Sequence, residues 1–156
     1  MNLKTGDKAP LFTLYSDAQR EVNLTDFRGQ NLVLLFFPLA FTGVCTEEMC
    51  TMRDSLSAYT DLETAVVAIS VDSPFTLARF KESESLNFPL LSDFNKEVSR
   101  QYGVLYESFV MGMHGVSKRA AFVLDSEGII RYAEVLASAG DQPDYSAIRE
   151  TLAHLQ

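Results

Sequence analysis

Basic charge is scarce in this chain. Thirteen lysines and arginines stand against twenty-one aspartates and glutamates, a net charge of -8. Nucleic acid and anionic membrane surfaces both call for a basic patch, so neither is expected as a partner. Small neutral or apolar substrates and protein partners stay open. Long apolar runs are missing too, and the longest is far too short to span a bilayer. Met1-Asn2-Leu3-Lys4-Thr5-Gly6-Asp7 has no apolar segment of the kind a secretory signal needs, so a soluble, cytoplasmic protein is expected. Histidine occurs only twice, at His114 and His154, and cysteine only twice, at Cys45 and Cys50. Neither histidine stands at the close spacing of a zinc site, and no metal or cofactor is expected. There is no Cys-x-x-Cys, which disfavours a general dithiol oxidoreductase. With no internal repeat, linker or low-complexity tract, residues 1–156 read as a single domain able to bury a proper core.

What is present is an alternation of strands and helices. Pro10 to Tyr15 and Glu21 to Leu24 alternate apolar and polar residues across a polar turn, which predicts an N-terminal β-hairpin. Thr25 to Gly29 reads as one capped helical turn. Leu32 to Phe37 is continuously apolar, the mark of a central strand buried on both faces. A helix is expected over Thr46–Tyr59, with Met49, Met52, Leu56 and Tyr59 in one stripe. Thr64–Val71 reads as a second buried strand. Ser73-Pro74 opens a helix to about Leu86. Phe88–Leu91 forms a short strand, and Asp93 caps a helix from about Asn95 to Tyr102. Residues 104–118, with Met111, Gly112, Met113 and Gly115, form the longest irregular stretch and read as mobile or ligand-facing. Ala120–Leu124 and Ile129–Val135 make a second hairpin around Asp125-Ser126-Glu127-Gly128, and Asp144 caps a last helix, Tyr145–Leu155. This order predicts an α/β fold of thioredoxin type, a mixed sheet flanked by helices.

The chemistry is expected where the central strand meets the next helix, because both cysteines lie there. A thiol delivered to the first turn of a helix faces free backbone N–H groups and the positive end of the helix dipole, which favour its anion, the nucleophilic form. Four readings compete for the pair: a structural disulfide, a zinc site, two inert buried thiols, and redox catalysis, which the context favours. Five residues apart on one helix, the two would lie roughly 140° around the axis from each other with Cα atoms about 8.7 Å apart. A disulfide needs Cα atoms within about 7 Å. A Cys45–Cys50 bond therefore requires the helix turn to unwind. That suits a thiol that reacts in the folded state and is resolved after local unfolding.

Pro38-Leu39-Ala40-Phe41-Thr42-Gly43-Val44-Cys45 matches Pro-x-x-x-Thr-x-x-Cys, and the chain resembles the peroxiredoxins. Gly6 to Pro10, Phe88 to Asp93, and Arg119 ahead of Phe122-Val123-Leu124-Asp125 are similar to further blocks of that family. Phe36 to Gly43 looks like the alkyl hydroperoxide reductase E group, whereas the Cys-x4-Cys spacing is also that of the peroxiredoxin Q group. The resemblance implies a thiol-dependent peroxidase acting on hydrogen peroxide and organic hydroperoxides. Cys45 would be the peroxidatic nucleophile and Arg119 the cation holding sulfur and peroxide oxygen; unaided, Arg119 reads as a solvated neighbour of Lys118. Thr42 would bond the peroxide or cap the helix, and Pro38 would shield the sulfur or simply end the strand. The N–H groups of Val44 and Cys45 would complete the pocket, and Glu48 would bond Arg119 or the loop. Phe41, Phe37 and the Met111–Met113 loop would form an apolar collar, and Arg53 and Asp54 would orient site groups. Cys50 would resolve the sulfenic acid of Cys45, with re-reduction by thioredoxin or a similar thiol donor. The same resemblance points to a homodimer. Turnover by an external thiol and a peroxide-sensing switch are the alternatives.

Overall fold

The computed structural model describes residues 2–156. At its centre is the apolar run, now strand β3 (Asn31–Phe36), parallel to β4 (Thr64–Ser70) on one side and antiparallel to β6 (Ala120–Leu124) on the other. The seven-stranded sheet has the order β2-β1-β5-β4-β3-β6-β7, with β1 (Thr13–Ser16), β2 (Glu21–Asn23), β5 (Leu90–Ser92) and β7 (Ile130–Val135) completing it. Both predicted hairpins form: β1 with β2, and β6 with β7. In the second, Gly128 takes φ +83° and Asp125 Oδ1 accepts the amides of Glu127 and Ile129.

The strand's period of two divides the core. Val33, Leu35 and Phe37 face a layer formed with helices α1 (Gly43–Thr60), α2 (Pro74–Glu84) and α4 (Tyr145–His154), through Met49, Met52, Leu77, Phe80, Ile148 and Leu152. Leu32, Leu34 and Phe36 face the opposite layer with Val98, Tyr102, Val104 and Phe122, where Phe36, Tyr102 and Phe122 pack ring against ring. Val98 belongs to the short helix α3 (Glu97–Gln101). The thioredoxin-like α/β fold read from the sequence is the fold observed. No described helix is long and apolar enough to cross a membrane.

Helix boundaries differ from expectation for identifiable backbone reasons. Helix α1 starts at Gly43, not Thr46, because extended Thr42 already offers its carbonyl to the Thr46 amide at 2.9 Å. Helix α2 stops at Glu84 because Ser85 turns left-handed, at φ +52°. Helix α3 is only five residues long. Lys96 at φ +65° interrupts the backbone before it, and Asp93 reaches across to accept the amides of Val98 and Ser99. The turn at 24–27 is a 3-10 turn whose Asn23 amide bonds Asp26. Residues 104–118 are less irregular than expected: Leu105 bridges Ser117, and the amides of Phe109 and Tyr106 donate to the carbonyls of Met113 and Val116.

Candidate active site

Topology alone brings the critical pieces to one end of the sheet. Strand β3 ends at Phe36, the chain passes through Pro38–Thr42, and α1 begins, placing Cys45 at its third residue. At that position the amide has no partner within the helix and points toward the N-terminal opening. Strand β6 runs antiparallel to β3 with Ala120 opposite Phe36, so Arg119, just before β6, arrives beside the same opening.

Arg119 is 1% exposed and uses its whole fork. Nη2 donates to Cys45 Sγ at 3.2 Å and to the carbonyl of Ala139 at 3.0 Å, Nε donates to the same carbonyl at 3.3 Å, and Nη1 donates to Glu48 Oε1 at 2.7 Å. Glu48 and Cys45 lie three residues apart on α1, hence on one face of the helix. Burial and the charges of Glu48 and Cys45 act oppositely on Arg119; the charges prevail and hold it cationic. Glu48 responds the other way. Complete burial, with its second oxygen Oε2 lacking a partner among the described residues, raises its carboxyl to about 7 despite the arginine.

A cleft of about 330 Å³ opens over the sulfur. Its walls are Pro38, Leu39, Thr42, Val44, Phe109, Met113 and their neighbours, with Cys45 and Arg119 at its base. The Thr42 hydroxyl, on the cleft wall, donates to the Leu39 carbonyl at 2.7 Å and does not cap the helix. Pro38 is buried and brings no N–H. Buried cation, buried thiol, free helix-end amides and an apolar mouth together can hold a thiolate and stabilise charge developing on a small oxygen substrate.

Comparison with known sequences places the chain in a family. The profile of the AhpC/TSA family matches residues 5–133. The chain belongs to the AhpC/TSA family of peroxiredoxins. This peroxiredoxin is therefore an enzyme, a thiol-dependent peroxidase. It is 41% identical to Peroxiredoxin Bcp of Escherichia coli strain K12 over 131 residues, 83% of this chain and 84% of that protein. It is 40% identical to alkyl hydroperoxide reductase E of Mycobacterium tuberculosis strain H37Rv over 156 residues, 98% of each. The crystal structure of peroxidoxin BcpB from Mycobacterium tuberculosis superposes with a TM-score of 0.88 at 28% identity, covering 99% of both chains. A peroxiredoxin-like protein from Aquifex aeolicus gives 0.90 at 25%, covering all of this chain and 90% of that one.

Within the peroxiredoxin, Cys45, Arg119, Glu48, Thr42, Pro38 and Val44 come together, although Glu48 lies behind Arg119 and not on the cleft wall. Phe41 does not join the collar. Its φ of +68° turns the ring away onto Phe80, at 5.1 Å between centroids, and Phe37 is wholly core. Met111 and Met113 of the expected loop do line the cleft, joined there by Phe109 and Val110. Arg53 and Asp54 also lie elsewhere: they pair with each other at 2.9 Å, and Arg53 donates to the carbonyl of Glu84, on the Cys50 side of α1. Cys45 and Cys50 are unpaired.

Two supports escaped the sequence reading. Asp72 Oδ2 accepts the Ala40 amide at 2.8 Å and the Ser70 hydroxyl at 2.7 Å, fixing the segment that carries Thr42. A signal for it existed: Asp72 follows β4, parallel to β3, so both strand ends must open on the same side. Ala139, which anchors Arg119 through its carbonyl, lies in a stretch with no motif, and nothing in its side chain marks it.

Proposed function

We propose that Cys45 is the peroxidatic thiol of this enzyme and that Cys50 resolves it. The observation that carries the first part is the Arg119 fork, which ties Cys45 Sγ at 3.2 Å to buried Glu48 beneath an apolar cleft. The Cys45 thiolate attacks one peroxide oxygen, the O–O bond breaks, and the other oxygen leaves as water or an alcohol once protonated. Arg119 and the helix-end amides stabilise the charge on that leaving oxygen, and the Thr42 hydroxyl holds the peroxide in line. The Phe109–Met113 wall suits organic hydroperoxides as well as hydrogen peroxide.

Cys50 is the only other thiol in the chain. Both cysteines stand on continuous helix α1, so their Cα atoms are about 8.7 Å apart and the first turns of the helix open before the disulfide closes. Thioredoxin or a similar thiol donor then restores the dithiol. In this reading residues 1–156 work as one domain, in the cytoplasm, as a homodimer.

Cys45→Ser is expected to abolish peroxide consumption, and retained activity would overturn the assignment. Cys50→Ser is expected to leave the first oxidation fast and to stop thioredoxin-driven turnover. Normal turnover in that variant would instead point to an external resolving thiol.

A further inference from the structure

The surroundings of Cys50 are as specific as those of Cys45, and the reaction with peroxide does not use them. Cys50 lies on the side of α1 that packs against the end of α2. Its Sγ donates to Glu84 Oε2 at 3.5 Å. Glu84 is the last residue of α2, and its own carbonyl is gripped by Arg53 Nη1 at 2.5 Å, one turn along α1 from Cys50. The Asn87 side chain donates to the Arg53 carbonyl at 3.2 Å, a third tie across the same seam. The charged groups facing the thiol are thus Glu84 from α2 and Arg53 and Asp54 from α1. Burial first, and then the bond to Glu84, hold the Cys50 proton on the sulfur.

A resolving thiol must lose that proton. We propose that Glu84 is the catalytic base of the resolution step, taking the proton from Cys50 as its sulfur attacks oxidised Cys45. The inference rests on Cys50 being the resolving cysteine. The Cys50 S–H bond breaks, with the proton passing to the Glu84 carboxylate, and the Cys50 Sγ–Cys45 Sγ bond forms. The S–O bond of the Cys45 sulfenic acid breaks, and the departing hydroxide takes that proton back from the Glu84 carboxyl and leaves as water, restoring the carboxylate. Cys45 sulfur is reduced by the amount that Cys50 sulfur is oxidised, and no further reagent enters. Arg53, held against Glu84, offsets the negative charge that grows on Cys50 during transfer. The three ties to α2 also keep Cys50 seated while the turn carrying Cys45 opens, so the base stays on the attacking sulfur.

The test is rapid mixing of the reduced full-length protein with one equivalent of hydrogen peroxide. Alkylation quench and mass spectrometry then count sulfenic acid and disulfide over time. Glu84→Gln keeps the shape and removes the proton acceptor. It is expected to leave Cys45 oxidation unchanged and to slow disulfide formation on the order of 10²-fold. Its rate should then climb about tenfold per pH unit between about pH 6 and 8, because solvent must ionise the thiol, whereas the wild type stays nearly flat. Glu84→Asp should recover much of the flat profile, and Glu82→Gln, on the exposed face of the same helix, should match the wild type. A Glu84→Gln rate within twofold of wild type at every pH overturns the role of Glu84 and leaves Cys50 as the resolver. Failure of the wild type to form any Cys45–Cys50 disulfide overturns the reading beneath it as well. If Glu84→Gln does not fold, the wild-type profile decides: a tenfold rise per pH unit there overturns the base.

Discussion

Arg119 and Glu48 show how far a single residue could be read in advance. Arginine ahead of a strand says nothing by itself; only the antiparallel pairing of β6 with β3 turns position 119 toward Cys45. Glu48 carried one real signal, a three-residue offset from Cys45 that puts both on one helical face, but neither its complete burial nor its bond to Arg119, 71 positions along the chain, follows from that offset. That burial makes a prediction. The Glu48 carboxyl ordinarily titrates near 4.5 and in the fold near 7, so between those values the folded chain holds a proton that the unfolded chain has released. Its stabilising contribution is complete below about 4.5 and is lost as pH rises through about 7, at most tenfold in the folding equilibrium per pH unit. Glu48→Gln keeps an acceptor for Arg119 and cannot titrate. Urea unfolding at pH 5 and pH 7 should therefore show a smaller loss of stability on raising pH in the variant than in the wild type. Equal losses would assign the pH dependence to other groups.

Elements were more legible than single contacts. Strand β3, the two hairpins and all four helices were written in periodicity and turn chemistry, because these are local properties of the chain. Helix ends were not, because Lys96 and Ser85 adopt positive φ, a conformation their residue types do not announce. The start of α1 matters most. Gly43 is its first residue, with ordinary helical freedom and open space where a Cβ would sit. Gly43→Ala should stabilise the first turn by about 0.4–1 kcal/mol. If that turn must open before the disulfide closes, disulfide formation should slow by roughly two- to fivefold while Cys45 oxidation keeps its rate. An unchanged disulfide rate, measured by the same quench, would mean that the helix does not open on the way.

Over the whole molecule, the sheet separates the chemistry from much of the support. Cys45, Met49 and Phe37 lie in one core layer, and Phe36, Tyr102 and Phe122 in the other. Phe36 is fully buried with rings at 5.3 and 5.9 Å, so Phe36→Ala should cost about 3–5 kcal/mol in urea unfolding. The molecules that remain folded should oxidise Cys45 at the wild-type rate; a large drop would mean that the two layers are mechanically joined. If Cys45 is the peroxidatic thiol and Cys50 its resolver, a helix α1 unbroken from Gly43 to Thr60 sets each oxidised molecule a race. Either the helix opens and a thiol captures the sulfenic acid, or a second peroxide arrives first and drives the sulfur to the sulfinic state. The number of peroxides one molecule destroys in its lifetime is set by the ratio of those two rates, and it falls as peroxide rises. A firmer first turn would give a protein that lasts longer on the shelf and fewer turnovers in service.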